Sequence, residues 1–189
     1  MEEKLKDFLQ EGEQLLWSGR PEAFETLDKT HKNSYIKSSI ITVAVTLGLI
    51  VAYILSLRTS GAEMKVGLLV IMALLAVYLL ASTFLHAKQL RKSLEYAVTN
   101  KRLVLYNDEP KGISYDLIPI AALRTDEDGH SSLLCGAHSV NEPMRKWRSS
   151  ALAGIRTNMD SGVCEDLVMY AVPDPERLRQ VLAPYLTLN

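Results

Sequence analysis

Two long apolar runs dominate the pattern of hydrophobic and polar positions along the chain. Residues 38–57 and 66–85 each give about 20 consecutive positions without a charged side chain, and polar or basic residues bound both runs. As helices rising about 1.5 Å per residue, they would each cover about 30 Å, the hydrocarbon thickness of a bilayer. The pattern predicts two transmembrane helices, joined by the short polar loop 58–65 into an antiparallel hairpin.

Basic residues near the ends of the runs predict how this hairpin is oriented. The loop carries only Arg58 and Lys65, whereas the outer flanks are richer in Lys and Arg. Because cytoplasmic flanks of membrane helices are enriched in these residues, both termini are predicted to be cytoplasmic, at the cytoplasmic (inner) membrane. The basic residues of the outer flanks are Lys29, Lys32, Lys37, Lys88, Arg91 and Lys92.

The first run contains a stripe of small residues, Ala44, Gly48 and Ala52, spaced four apart. Such a stripe lets another helix approach closely, and the short loop favours packing within the hairpin over a dimer interface. Neither run contains Asp, Glu, Lys, Arg or His, the groups that ion and proton pathways usually need. The hairpin is therefore predicted to be an anchor rather than a transport pathway.

Polar segments flank the two predicted spans. Residues 1–37 form a cytoplasmic N-terminal segment that is too polar for its own core, and its first residues predict a short amphipathic helix. The apolar cluster at 15–17 is predicted to pack onto the folded domain. Residues 86–93 form a basic juxtamembrane linker that leads into that domain.

Residues 94–189 alternate short β-rich runs with turn formers, which is typical of a small β domain. The segment 138–162 predicts either a short helix around 144–153 or further strands. At the end of the chain, Asp174 as N-cap and Pro175 at the first position predict an amphipathic helix that ends near Ala183. The predicted strands cover the runs 93–99, 102–108, 113–120, 122–127, 131–137 and 164–172, with a turn at 109–112.

This order of elements predicts a membrane-anchored α+β protein. Its transmembrane helical hairpin is followed by a pleckstrin-homology-like β-barrel or sandwich, which is closed by the C-terminal α-helix.

Two short motifs carry a resemblance to a known family. One is a Trp-x-Gly-x-Pro element before the first span, and the other is a Tyr-x-x-Thr-x-x-Arg element that opens the domain. In this order around a hairpin, they resemble the bacterial pleckstrin-homology-like two-span membrane proteins, formerly a domain of unknown function. The resemblance implies a pleckstrin-homology-like domain, with the first hairpin as the place where headgroups are gripped. The motif residues, most simply structural, are Trp17, Gly19, Pro21, Tyr96, Thr99 and Arg102.

The formal net charge of −1 argues against a nucleic-acid binder, whose basic face would show in the total. Two basic spots are candidate sites for an anionic lipid or a partner. Lys101 and Arg102 at the first hairpin would act with the basic linker, whereas the structural alternative is that Arg102 orders the turn and Thr99 closes it. The run 145–148 either dips its tryptophan into the interface or forms an exposed loop with that tryptophan packed. The candidate residues are Lys101, Arg102, Lys88, Arg91, Lys92, Arg145, Lys146, Trp147 and Arg148.

No constellation of residues predicts catalysis or a cofactor. Cys135 and Cys164 are predicted to be free thiols in a reducing cytoplasm rather than a disulfide. With His130 and His138 they could be four zinc ligands, but the paired knuckle spacing of zinc sites is missing. The acidic run 126–128 is interpreted as a solvated turn rather than a metal site.

The sequence therefore predicts a non-enzymatic inner-membrane protein that tethers its domain for binding a protein partner or for self-assembly. Sensing of anionic lipid headgroups is the alternative, and a membrane-associated enzyme is a remote one.

Overall fold

Two long helices form a hairpin in the computed structural model, which describes residues 8–61, 63, 65–107, 109–157 and 164–189. Helix α1 spans Lys29–Ser60 and helix α2 spans Val66–Ser93. Both helices are long and apolar enough to cross a membrane, and no part of their most apolar stretches is buried in the protein. Each helix is longer than its predicted span, because α1 starts before residue 38 and α2 continues through the predicted linker 86–93.

The helix–helix contact does not use the predicted small-residue stripe. Thr42 and Thr46 of α1 line the groove toward α2, whereas Ala44, Gly48 and Ala52 are exposed. No atom of the described residues outside the helix itself lies within 4 Å of a Cβ built on Gly48. The prediction that this stripe packs within the hairpin is therefore wrong, because α1 is rotated so that the stripe points outward.

The remainder of the chain forms two antiparallel four-stranded sheets with orders β1-β2-β3-β4 and β5-β6-β8-β7. The strands of the first sheet are β1 Leu15–Gly19, β2 Glu95–Thr99, β3 Arg102–Asn107 and β4 Glu109–Ser114. Those of the second are β5 Ala121–Thr125, β6 Ser131–Cys135, β7 Arg156–Thr157 and β8 Cys164–Met169. Three shorter helices are α3 Ala137–Asn141, α4 Trp147–Ala153 and α5 Pro175–Leu182.

The two sheets do not close into a barrel. Within the described ranges, β4 pairs only with β3 and β5 pairs only with β6 among the strands, so the sheets remain separate. A 3₁₀ turn at Tyr115–Leu117 lies between β4 and β5 and carries the chain from one sheet to the other. The barrel in the predicted fold class is therefore wrong, whereas the α+β order with a C-terminal helix is confirmed.

One hydrophobic core joins both sheets, the C-terminal helix and the foot of α2. It includes side chains from each of these elements, so the helical hairpin and the β domain share buried apolar surface that stabilises their contact. Representative fully buried members are Leu90 of α2, Tyr96 and Leu103 of the first sheet, Leu133 and Leu167 of the second, and Leu178 and Leu182 of α5.

The predicted secondary structure is wrong mainly around residue 110. The predicted turn at 109–112 is strand β4, which pairs Pro110 with Tyr106 and Lys111 with Leu105. Pro110 is tolerated there because β4 is the outer strand of its sheet, where a missing N–H donor costs little. The predicted strand 113–120 is accordingly the end of β4 followed by the 3₁₀ turn.

The two ends of the domain differ in how well the sequence predicted them. The C-terminal helix begins at Pro175 after an Asp174 cap, whose carboxylate accepts from Arg177 N at 3.1 Å, and ends at Leu182 as predicted. Strand β1 was not predicted, because its Ser18 and Gly19 are typical of a loop. The predicted N-terminal amphipathic helix lies mostly outside the described residues.

Candidate functional site

The Trp-x-Gly-x-Pro element forms part of the hydrophobic core at the edge of the first sheet. Trp17 is buried in strand β1, and Gly19 lies against both its ring and Pro173. A Cβ built on Gly19 would come within 2.7 Å of Pro173 Cγ and 2.9 Å of the Trp17 ring. Only glycine fits this approach, so the element has a structural role, as its sequence suggested.

Substitution of Gly19 by alanine is expected to lower the free energy of unfolding by about 1–3 kcal/mol, because the methyl group overpacks the Trp17 contact. Thermal unfolding followed by tryptophan fluorescence measures this effect. Gly67→Ala in α2 is the matched control, since a Cβ built on Gly67 meets no other atom within 4 Å in the described part of the chain. Equal unfolding temperatures for the two variants would contradict the prediction.

The Tyr-x-x-Thr-x-x-Arg element binds the N-terminal segment to the first hairpin. The Thr99 hydroxyl accepts from the N–H groups of Lys101 at 3.2 Å and Arg102 at 3.0 Å, and donates to Glu13 Oε1 at 2.7 Å. Arg102 donates from Nε and Nη2 to the two oxygens of Glu13 at 2.9 and 3.0 Å. Tyr96, which opens the element, donates its hydroxyl to Tyr170 O at 2.8 Å.

These contacts account for the first predicted basic spot. Arg102 is paired with Glu13, and the ammonium group of Lys101 donates to Glu11 O at 2.7 Å. Thr99 closes the turn through its hydroxyl, as the structural alternative expects. Both basic side chains therefore already have partners within the protein.

The Glu13 carboxyl is held in its charged form by these donors. Burial alone would raise its pKa, but the hydrogen bonds from Arg102, Gln10 N and Thr99, together with the Arg102 charge, lower the pKa from 4.5 to about 2. Glu13 is thus ionised at neutral pH, and it anchors the N-terminal segment by charge as well as by hydrogen bonding.

A buried polar cluster, here called the junction cluster, lies where α1 meets the β domain. Its centre is an ion pair between Asp28, just before α1, and Arg148 of α4. Asp28 also accepts from His31 N at 2.8 Å and lies 2.7 Å from His31 Nδ1. The Arg148 guanidinium lies 4.2 Å from the centre of the Phe24 ring and 5.2 Å from that of Tyr170. The ion pair thus connects the start of α1 to the domain.

Further hydrogen bonds from Arg148 and Arg91 hold the segment that precedes α1. Arg148 donates to Glu25 O at 2.9 Å and to Thr26 O at 3.0 Å. Arg91 of α2 donates to Phe24 O at 2.9 Å. The polypeptide between β1 and α1 is therefore fastened from both α4 and α2, which fixes the hairpin relative to the sheets.

The acidic run 126–128 completes this junction, and its interpretation as a solvated turn holds for the exposed Glu127 but is wrong for Asp126. Asp126 is buried and accepts from Tyr170 Oη at 3.1 Å and from His130 N at 2.9 Å. Asp128 accepts from Lys29 N at 3.1 Å and Thr30 N at 3.2 Å, so it caps α1 from the β5–β6 turn. Burial would raise the pKa of Asp128, but the hydrogen bonds from Thr30 and Lys29 lower it.

Removal of this cap by Asp128→Ala is expected to cost about 1 kcal/mol of stability, because two N–H groups at the start of α1 lose their acceptor. Hydrogen exchange of the Lys29 and Thr30 amides should also become faster. Glu127→Ala, at the neighbouring exposed position, serves as the control and should change neither quantity. Unchanged exchange in Asp128→Ala would refute the capping role.

The remaining predicted basic residues divide between buried and exposed positions. Trp147 is buried and donates Nε1–H to Glu142 O at 3.2 Å, so the second basic spot has its tryptophan packed. Arg145 and Lys146 are exposed in the 3₁₀ turn before α4, whereas Arg148 is buried. Lys88 and Lys92 are exposed on α2.

One group of ligand-type side chains is close enough to share a cation. Oxygen and nitrogen atoms of Asp28, Asp126 and His130 lie within 4.8 Å of one another. The Arg148 guanidinium already neutralises Asp28 and the Tyr170 hydroxyl binds Asp126, so the group is described by an ion-pair network rather than by a metal site.

The other predicted zinc ligands lie in different environments. Cys135 is a free, fully buried thiol, and burial raises its pKa. His138 is exposed on α3, with Nε2 3.7 Å from Glu142 Oε1. The side chain of Cys164 lies outside the described residues.

Two cavities adjoin α4. The junction cavity, of about 210 Å³, lies between the helix hairpin and the 3₁₀ turn before α4. Its lining consists of His31, Ser34, Tyr35, Ser38, Thr83, His86, Ala87, Arg145, Arg148 and Ser149. The second cavity, of about 340 Å³, is bordered by α3, α4 and β8 and includes the buried Asp166, whose Oδ1 accepts from Ser139 N at 2.9 Å.

The chain matches no protein-family model, no curated protein and no solved structure. Sequence reasoning singled out Arg148 but missed its partner Asp28 and the Arg102 partner Glu13. Asp28 could have been found, because an aspartate three residues before His31 and just ahead of an apolar helix is a typical N-cap. Glu13 gave no such indication, since its partner is distant in sequence.

Proposed function

We propose that the protein is a non-enzymatic inner-membrane protein whose α1–α2 hairpin tethers a cytoplasmic, pleckstrin-homology-like β domain. The domain binds a protein partner or assembles with further copies of the chain. The observation that carries the proposal is the junction cluster, in which the buried Asp28–Arg148 pair fixes the domain to the start of α1, one of the two membrane-length helices.

A fixed attachment suits a protein that presents a binding surface at the membrane. Tethering confines the domain near its partners and raises their effective concentration, so lipid affinity is not needed for localisation. The positive charge of the domain-proximal flanks supports a cytoplasmic domain. At the first hairpin, the internal partners of Lys101 and Arg102 favour a structural role over headgroup binding.

The polar groups at the junction support a non-enzymatic role. Asp28 binds Arg148 and His31, and Asp126 binds Tyr170, so both carboxylates are occupied by side chains of the protein rather than by a substrate. The buried Cys135 thiol, with its raised pKa, stays protonated at neutral pH and is a poor nucleophile.

Cysteine labelling tests the membrane topology. In a chain whose two native cysteines are replaced by alanine, Ser60→Cys lies at the end of α1 next to the loop and Lys92→Cys lies on the domain side. A membrane-impermeant maleimide added to intact expressing bacteria should label Ser60→Cys alone. Labelling of Lys92→Cys without cell lysis would reverse the proposed orientation.

Mass measurement of the chain in mild detergent tests the binding role. We expect either a homo-oligomer or a stoichiometric protein partner after purification through an affinity tag. The variant Gly48→Leu distinguishes self-assembly through α1 from self-assembly through the β domain. Leucine at this outward-facing position blocks close approach of another helix and leaves the domain unchanged. A monomer that carries no partner would count against the proposed function.

A further inference from the structure

We infer that the junction cavity binds the phosphate of an anionic phospholipid headgroup from the cytoplasmic leaflet. The inference rests on the proposed function, because it requires α1 and α2 to cross the membrane. It concerns a different place from the first hairpin, whose basic residues have partners within the protein.

The position of the cavity along the helices matches the depth of lipid phosphates. Ser38, on its lining, is the first residue of the first apolar run. Thr83 and His86 line it from the other helix, where the second apolar run ends. The cavity thus lies at the level where hydrocarbon gives way to headgroups, on the side of the hairpin that carries the domain.

The lining has the chemistry of an anion site. Among the described residues that border the cavity there is no Asp or Glu, whereas Arg145, Arg148 and His86 supply nitrogen donors. Hydroxyl groups, including that of Ser34, add further donors. Arginine binds phosphate with particular strength, because its planar guanidinium offers several N–H groups to the oxygens at once.

Two residues of this lining each carry a buried polar atom that has no partner among the described residues. Arg148 is 7% exposed and His31 is 9% exposed, yet Arg148 Nε and His31 Nε2 make no hydrogen bond to the part of the chain that the structure describes. The other nitrogens of both side chains are held by Asp28 and by backbone carbonyls, and Asp28 does not border the cavity. A buried polar atom without a partner is costly, so a ligand that satisfies it gains affinity.

The two atoms call for different ligand groups. Arg148 Nε–H is a donor and suits a phosphate oxygen. His31 Nδ1 lies 2.7 Å from a carboxylate, which places the ring proton there and leaves Nε2 as an acceptor for a headgroup hydroxyl. The cavity volume of about 210 Å³ exceeds the roughly 30 Å³ of a single water several-fold, so a phosphate with an attached polyol fits the space.

Phosphatidylglycerol combines these groups and is the probe for the test. The full chain is reconstituted into vesicles of phosphatidylcholine with phosphatidylglycerol, released into neutral detergent, and weighed with its retained lipid by native mass spectrometry. The test variant is Arg145→Glu, an exposed residue on the lining. Lys146→Glu is the matched control, because it makes the same charge change one residue away and does not border the cavity.

We expect the unmodified chain and Lys146→Glu to retain phosphatidylglycerol in preference to phosphatidylcholine. Arg145→Glu should lower that retention at least about tenfold, because it replaces a phosphate donor by a like charge. Ser149→Asp, on the same lining but in α4, should have the same effect through a different element. Agreement between these two variants excludes a local misfolding at either position.

Three results would overturn the inference. The first is equal retention in Arg145→Glu and Lys146→Glu, and the second is equal retention of both lipids. The third is displacement of the lipid by inorganic phosphate, which would assign the cavity to a soluble anion. Alkaline carbonate extraction of the same vesicles distinguishes a failure of the inference from a failure of the proposed function. Release of the protein from the vesicles would refute both. If the protein stays in the membrane but shows one of the three results above, only the inference about the cavity is refuted.

Discussion

Replacement of Arg148 by methionine is expected to destabilise the protein by about 3–5 kcal/mol, the largest effect of any single substitution considered for this chain. The change removes the buried charge that neutralises Asp28 and the donors that hold two backbone carbonyls ahead of α1. The aliphatic methionine preserves much of the packing against Phe24, so the loss is mainly electrostatic.

Tryptophan fluorescence in detergent provides the measurement, because Trp17 and Trp147 are the two tryptophans of the chain and both are buried. The unfolding temperature should fall by roughly 10 °C for a chain of this size. Arg145→Met, three residues earlier and exposed, is the matched control and should stay within about 0.5 kcal/mol of the parent.

A double substitution distinguishes a lost ion pair from lost packing. Asp28→Asn combined with Arg148→Met removes both charges and leaves an amide oxygen to cap α1, so it should recover part of the stability lost in Arg148→Met. If the double variant were less stable than Arg148→Met alone, the charge left on Asp28 could not be the cause of the loss.

The helices and much of the strand order could be predicted from the sequence because their patterns are local. The apolar runs, the Asp174–Pro175 helix start and the β-rich runs each depend on neighbouring residues. The direction in which α1 turns its small-residue stripe could not be predicted, because it depends on how the junction holds the foot of the helix. Sequence spacing places Ala44, Gly48 and Ala52 on one face without saying what that face meets.

The roles of the polar residues in the site were harder to predict, because each role depends on a partner far away in the sequence. Arg148 and Arg102 were singled out for their charge, which suggested a contact with anionic lipid. In the structure, both are paired with carboxylates from the segment before α1, Asp28 and Glu13. A basic residue that appears unpaired in a sequence can thus be neutralised by a segment more than eighty positions away. Of the basic residues near α4, Arg145 lines the junction cavity from an exposed position.

The pairing between Glu13 and Arg102 predicts a stability difference that depends on pH. At neutral pH, Glu13→Gln should lower the free energy of unfolding by about 2 kcal/mol, because charged hydrogen bonds to Arg102 are replaced by neutral ones. The pKa of Glu13 is about 2 in the folded protein against an ordinary 4.5, so the unfolded chain takes up the proton first as the pH falls. The stabilisation by Glu13 is therefore complete above about 4.5 and is lost progressively down to about 2.

Unfolding temperatures of the parent and Glu13→Gln, compared across this acid range, measure the effect. Their difference should be largest at neutral pH and should vanish as the pH approaches 2, since the parent then carries a neutral Glu13 as well. Other carboxylates, including Asp128, titrate in both proteins and cancel in the difference. Glu11→Gln, at an exposed position whose backbone carbonyl rather than side chain meets Lys101, should track the parent throughout. A difference between the parent and Glu13→Gln that stayed constant with pH would show that the glutamine acts through packing, and that the Arg102 pair does not hold the N-terminal segment by charge.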